Sequence, residues 1–272
     1  MSVISIRSDS VRLPKRPPDS SKRDYGHLLI LGGSVGYTGA PTLCARAAVR
    51  CGAGLVSLGV PESIYAVTAV KNDEAMPFPL TGQHLPERLR RCSVLAVGPG
   101  MGRSNDARRL FLRLPVDKPT VADADALFFL AEETERFAQY RAPLIITPHE
   151  GEFARLFPDR SGDRERDCAA FTRRHGCVTV LKGHRTLVAF PDGTLYRIEA
   201  GNPGMARGGS GDILTGILGA MLCQLPLKQA VLTGCCLHAA AGDAAAEALG
   251  EYGMIPTDIL RYLPQVMQAI TE

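Results

Sequence analysis

The residues best suited to chemistry lie in the segment GNPGMARGGSGD at 201–212, where Gly201, Gly204, Gly208, Gly209 and Gly211 precede Asp212 and an apolar run begins at Ile213. Glycines let a backbone approach a ligand closely and turn its N–H groups inward. The first turn of a following helix adds unpaired donors and the positive end of its dipole. Gly208, Gly209, Ser210 and Gly211 therefore read as a phosphate loop, with the Asp212 carboxylate beside it able to act as a base. A capped helix would need only a single Asp or Ser, so this much glycine exceeds what capping requires.

Other polar loops follow apolar runs of strand length. GGSVGYTGAP at 32–41 has proline near a helix start, an arrangement suited to holding a polar ligand at a sheet edge. GPGMGR at 98–103, with Asp123 about twenty residues on, has the outline of a dinucleotide fingerprint, but Arg103 takes the third glycine position and Pro99 interrupts the turn. DADAL at 123–127 puts two acids at a strand's carboxyl end, where open α/β sheets bind ligands, although Asp125 could also cap the next helix. TPHEGE at 147–152 is a similar strand end, with His149 placed to donate a hydrogen bond and Glu150 and Glu152 in the first helical turn. In LKGHRT at 181–186 the backbone and cationic groups suit a nucleotide. Cys235, Cys236 and His238 share a small-residue helix at a chance spacing and are not read as a metal site.

These loops need a frame. Strand-length runs at 28–31, 55–60, 94–97, 120–122, 144–147 and 178–181 alternate with helical patterns at 41–53, 107–114 and 151–157. That alternation predicts an α/β fold with a mostly parallel central sheet covered by helices on both faces. Runs at 186–190 and 194–200, joined by Pro191-Asp192-Gly193, predict a hairpin, and the Ala- and Gly-rich chain after 211 predicts closely packed helices. Residues 26–272 are expected to form one domain behind a flexible basic arm, residues 1–25.

That arm holds Arg7, Arg12, Lys15, Arg16, Lys22 and Arg23 against Asp9, Asp19 and Asp24, which accounts for the whole net charge of +3. The remainder is balanced, with 25 basic and 25 acidic residues (31 less 6, and 28 less 3). A neutral body argues against a nucleic-acid enzyme. The arm lacks the apolar core of a secretory signal, and no later segment has the uncharged apolar length of a membrane span, so a cytoplasmic protein is expected. The 8 cysteines have irregular spacing and no C-x-x-C pair, which suggests reduced, mostly buried thiols.

Taken in order, GGSVGYTGAP, GAGLVSLGVP, VGPGMG, DADAL, TPHEGEF, LKGHRT and NPGMARGGSGDILTGILGAML closely resemble the ADP/ATP-dependent NAD(P)H-hydrate dehydratases, across about residues 25–250. The resemblance implies a ribokinase-like fold. It also implies the reaction: ADP or ATP drives dehydration of the S-form of hydrated NADH or NADPH (NADHX, NADPHX) back to the working cofactor, releasing phosphate and AMP or ADP. By motif, Ala40, Gly102, His149 and Asp212 would meet the hydrate, while Lys182, Gly183, His184, Arg185, Thr186 and Gly211 would bind the nucleotide. Mg²⁺ is implied as cofactor, with no protein ligands assigned. Relatives commonly have Ala then His where His184 and Arg185 stand here, which leaves the ADP or ATP preference open. A homo-oligomer, a tetramer being one such assembly, is expected from the family and from the apolar faces of the Ala-rich helices. Many relatives carry an epimerase domain ahead of this one; residues 1–25 cannot hold it, so an epimerase acting upstream is expected on a separate chain. The rival reading is a small-alcohol kinase of the same fold, acting on a thiazole or pyrimidine precursor, but YTGAP and TPHEGE match the dehydratases more closely. A nucleotide sensor would have no use for Asp212 behind an intact glycine loop.

Overall fold

The computed structural model describes residues 2–272. Its strands are β1 (Val3–Ile6), β2 (His27–Leu31), β3 (Leu55–Val60), β4 (Met76–Pro79), β5 (Val94–Val97), β6 (Thr120–Ala122), β7 (Leu144–Ile146), β8 (Val178–Leu181), β9 (Leu187–Ala189) and β10 (Leu195–Ile198). They form one sheet in the order β1-β10-β9-β8-β7-β6-β5-β2-β3-β4. From β8 to β4 every neighbouring pair is parallel, and β9 alone runs against its neighbours.

Helices α1 (Gly39–Arg50), α8 (Ser210–Leu222), α9 (Leu227–Leu249) and α10 (Pro256–Ala269) cover one face. The other is covered by α4 (Asn105–Arg113), α5 (Asp125–Glu132), α6 (Glu150–Leu156) and α7 (Arg164–His175), with α3 (His84–Arg91) at its margin, while α2 (Glu62–Val70) follows β3. Side chains of β2 alternate between the two cores, Leu28 and Ile30 to the first and Leu29 and Leu31 to the second. All four are fully buried, which is why this strand reads as a continuous apolar run.

The N-terminal segment is not the solvated arm that its charge suggests. β1 pairs in parallel with β10, Val11 and Leu13 are buried, and the Leu13 N–H donates to the Ile270 carbonyl. Its basic side chains point outward from a backbone that packs through the apolar residues between them, and a count of charge is blind to that alternation. The Ala-rich faces of α8 and α9 are likewise used inside the fold: Ala220, Ala230, Ala241 and Ala245 are all fully buried. The large apolar side chains left exposed among the described residues are instead Ile4 in β1, Val35 and Tyr37 between β2 and α1, Val67 and Val70 in α2, Leu249 at the end of α9, and Tyr252 and Ile255 beyond it. No described helix is long and apolar enough to cross a membrane.

α8 lies close against α1 because residue 216 is glycine. A Cβ there would come within 2.0 Å of the Cys44 carbonyl oxygen, so any side chain must push the two helices apart. Gly216→Ala is therefore expected to destabilise the protein by about 1–3 kcal/mol, as overpacking does. Chemical unfolding measures this, and an unchanged midpoint would mean that α1 and α8 can separate at no cost.

Candidate active site

Strands β2, β5, β6, β7 and β8 are parallel, so the loops that follow them gather at one sheet edge. The first two interlock: the Gly33 N–H donates to the Pro99 carbonyl at 2.9 Å, and the Ser34 hydroxyl donates to the Gly100 carbonyl at 2.9 Å. Ala40, in the first turn of α1, abuts the same loop, where a Cβ on Gly100 would lie 3.0 Å from its own. At Gly102 the backbone N–H is already engaged, donating to Asp125 Oδ2 at 2.8 Å, while Arg103 Nε donates to Asp125 Oδ1 at 2.9 Å. Asp125 thus ties the 98–103 loop to the start of α5 and caps no helix with its side chain. Between the two acids, Ala124 has φ +48°, an uncommon backbone state for a non-glycine residue that turns Asp123 inward and Asp125 toward the loop.

Asp123 is 2% exposed. Its Oδ1 accepts from Lys182 Nζ at 2.7 Å and its Oδ2 from the Thr215 hydroxyl at 2.9 Å. Directly above lies the glycine loop: a Cβ on Gly211 would sit 3.2 Å from Lys182 Nζ and 3.6 Å from Asp123 Oδ2, so glycine at 211 keeps that space open. Gly209, in the left-handed region at φ +106°, is the N-cap of α8, and Asp212 falls in the first turn.

Burial is the main cause of the raised Asp212 proton affinity, followed by the negative charge of Asp123; Lys182 opposes both, and the carboxyl is pushed up to about 7. Glu152 is raised as well, again chiefly by burial, with Lys182 Nζ 3.9 Å away. For Lys182, burial acts to lower the ammonium, but Asp123 and then Glu152 outweigh it and hold it raised and charged. A buried carboxyl of raised proton affinity thus stands in the first turn after a glycine-rich loop, whose Gly211 lies beside the paired Lys182 ammonium, and a helix start of this kind suits an anion.

His149 is the N-cap of α6. Its Nδ1 accepts from the N–H groups of Gly151 (3.0 Å) and Glu152 (3.2 Å), while Glu152 Oε2 accepts from the His149 N–H at 2.8 Å. With Nδ1 occupied as an acceptor, the ring proton resides on Nε2, so the exposed face of the imidazole is a donor and not a base. His149→Ala is expected to cost about 1 kcal/mol of stability through the lost cap. It should also weaken hydrate binding by about 1–3 kcal/mol with little change in nucleotide affinity. Equal weakening of both ligands would leave His149 a cap alone.

The stretch 182–186 divides. Lys182 enters the buried cluster, whereas Arg185, at φ +58°, is drawn 3.3 Å from Glu199, which also accepts from Ser5 and Arg197. The His184 carbonyl accepts from Arg164 at 3.2 Å, and the Thr186 carbonyl pairs with the Ile198 N–H. Gly183 lies beside Arg164, so this stretch is shaped from α7 and β10.

Two supports of the glycine loop escape sequence reading. His238, kept neutral because burial lowers it to about 4, is 3.0 Å from the Ser210 carbonyl and donates to it. Asp243 accepts from the Gly201 N–H and the Asn202 side chain, both at 2.9 Å. The available signal was a His and an Asp on the inner face of an otherwise small, apolar helix.

A glycine turn capping a helix, with a buried acid and a paired lysine at the carboxyl edge of a mostly parallel sheet, stands in a fold of the ribokinase-like class. The chain belongs to the NAD(P)H-hydrate dehydratase family, whose sequence model matches residues 28–265. It is 38% identical over 255 residues to the ADP-dependent (S)-NAD(P)H-hydrate dehydratase of Neisseria meningitidis serogroup B, covering 86% of this chain and 82% of that one. It is 41% identical over 279 residues to the bifunctional NAD(P)H-hydrate repair enzyme of Moorella thermoacetica, covering 96% of this chain and 53% of the relative. The chain thus spans about half the length of the bifunctional relatives it matches. Among solved structures, the ADP/ATP-dependent NAD(P)H-hydrate dehydratase of Bacillus subtilis, co-crystallized with ATP/Mg²⁺, superposes with a TM-score of 0.86 at 27% identity over 99% of both chains.

Proposed function

We propose that this protein catalyses nucleotide-driven dehydration of the S-form of hydrated NADH or NADPH, restoring the reduced cofactor and releasing phosphate and AMP or ADP. The observation that carries this reading is the place of Asp212, buried in the first turn of α8 one residue past a glycine loop whose Gly211 lies beside Lys182, with its carboxyl raised to about 7. Hydroxide is a poor leaving group, so the hydrate's hydroxyl must first become a phosphate. Asp212 takes the hydroxyl proton as that oxygen attacks the terminal phosphoryl group of ADP or ATP, and the bond to the departing AMP or ADP breaks. The N–H groups of Gly208, Gly209 and Gly211 and the Lys182 ammonium stabilise the charge that develops on the phosphoryl oxygens, while the Ser210 N–H closes the turn on the Arg207 carbonyl. The C–O bond then breaks with the ring-nitrogen lone pair assisting, inorganic phosphate departs, and loss of the neighbouring ring proton restores the dihydronicotinamide.

Ala40, Gly102 and the His149 Nε2 donor are assigned to the hydrate, and Lys182 to Thr186 with Gly211 to the nucleotide. For Gly102, whose N–H serves Asp125, the contact is through its Cα or carbonyl. No group of three or more His, Cys, Asp or Glu donors is assembled among the described residues to hold a metal alone. That fits Mg²⁺, which binds through substrate phosphates with one or two carboxylates; Glu152, whose burial disfavours an uncompensated charge, is the carboxylate we assign to it. Bound there, Mg²⁺ would offset the polyphosphate charge. An epimerase activity acting upstream and self-association are parts of the same proposal.

The test is to incubate the protein with Mg²⁺, ADP or ATP, and hydrated NADH or NADPH, following reduced-nicotinamide absorbance and nucleotide together. The two should change in step. Accumulation of a stable phosphorylated small alcohol with no cofactor recovery would favour the kinase reading.

A further inference from the structure

We propose that Asp123 is a positioning residue for this reaction: one carboxylate oxygen fixes the Lys182 ammonium and the other fixes Thr215, so a single buried group holds both the nucleotide cation and the helix that carries the base. The inference rests on the nucleotide-driven reaction proposed above and adds a residue that touches neither substrate. Three observations carry it. Asp123 is almost wholly buried among apolar neighbours, and Val121, Ala122 and Ala126 beside it are fully buried. A carboxylate there is costly to desolvate, and an apolar pair in place of Asp123 and Lys182 together would serve folding as well or better. Both of its oxygens are committed, at 2.7 and 2.9 Å, to partners on different elements: Lys182 after β8 and Thr215 in α8. Thr215 lies three residues beyond Asp212, one turn along on the same side of α8, so tethering it fixes the rotation of the base.

The position of Asp123 is itself fixed by its backbone. The left-handed Ala124 follows it, and a Cβ on Gly98 would meet the Asp123 carbonyl at 1.8 Å, so β5 and β6 lock the turn between them. An ammonium has three donors; Asp123 takes one and leaves two for a phosphate seated over Gly211. The lysine is therefore placed before the nucleotide arrives, and base and cation keep a fixed separation.

The test uses the full chain as Asp123→Asn, Lys182→Met, the double variant and Thr215→Val, with kcat and KM measured for hydrate and nucleotide and thermal unfolding as control. Asp123→Asn should lower kcat by about 10- to 100-fold, the scale on which misplaced groups act, with the hydrate KM changed less than about 2-fold. Added to Lys182→Met, it should cost less than about 2-fold more, because both variants break one unit. Additive losses, or an Asp123→Asn protein that is less stable yet keeps kcat, would overturn the proposal. If Asp123→Asn does not fold, Thr215→Val decides: a fall in kcat of about 5-fold at unchanged nucleotide affinity is expected, and unchanged kcat overturns it. A wild-type protein without hydrate turnover overturns the reaction and this role with it, whereas normal wild-type turnover with additive variants defeats the role alone.

Discussion

Asp212→Asn should lose turnover by about 10²–10⁴-fold, or roughly 3–5 kcal/mol of transition-state stabilisation, while still folding and binding nucleotide. The structure sharpens this expectation. Gly209 is the N-cap of α8 and no side chain caps the helix, so Asp212 is not needed to start it. Asparagine keeps its size, and the glycine turn and the Asp123–Lys182 pair remain in place. What disappears is the proton acceptor and a negative charge beside the phosphates. Nucleotide affinity should therefore hold or rise slightly, giving a variant that binds and does not turn over. Turnover, nucleotide affinity and thermal unfolding on one preparation read this out. Near-normal turnover in a folded sample would remove Asp212 from the mechanism.

Much of the frame is legible because strands buried on both faces are short apolar runs. β3, β5, β6 and β8 coincide with runs picked out by composition alone. β4 is hidden by Pro77 and Pro79, which an edge strand tolerates, and β1 by the charges around it. The convergence of the polar loops is also legible, since parallel strands must end on one edge. The wiring between them is not. Asp123 reaches Lys182 across 59 positions and Thr215 across 92, and no spacing rule predicts a hydrogen bond between residues so far apart in sequence. For the same reason, reading Gly102 as a ligand contact could not foresee that Asp125 already occupies its N–H, nor reading Arg185 as a nucleotide contact that Glu199 draws its side chain aside.

Between about pH 4 and about pH 7, activity and stability should move in opposite directions, and Asp212 is the cause. In the unfolded chain its carboxyl titrates at an ordinary value of 3.8; in the fold, burial first and Asp123 second raise it to about 7. Below 3.8 both states hold the proton and the native state keeps its full advantage. As pH rises the unfolded chain ionises first, so stability falls until the folded carboxyl also ionises near 7, a loss of up to about 4 kcal/mol from this group. Glu152, raised in the same direction, adds to the slope. The rate constant kcat/KM, which reports the base of the free enzyme, requires that base ionised and should climb about tenfold per pH unit up to about 7 and level off above it, leaving pH 5 about a hundredfold below the plateau. Asp212→Asn should flatten the rate profile and remove most of the stability loss, becoming more stable than the wild type at pH 8 while nearly inactive. Urea unfolding and kcat/KM at pH 5, 6, 7 and 8 on both proteins measure the two slopes. A variant whose stability falls with pH as steeply as the wild type would show that the buried charge at 212 is not what the fold tolerates for the sake of the reaction.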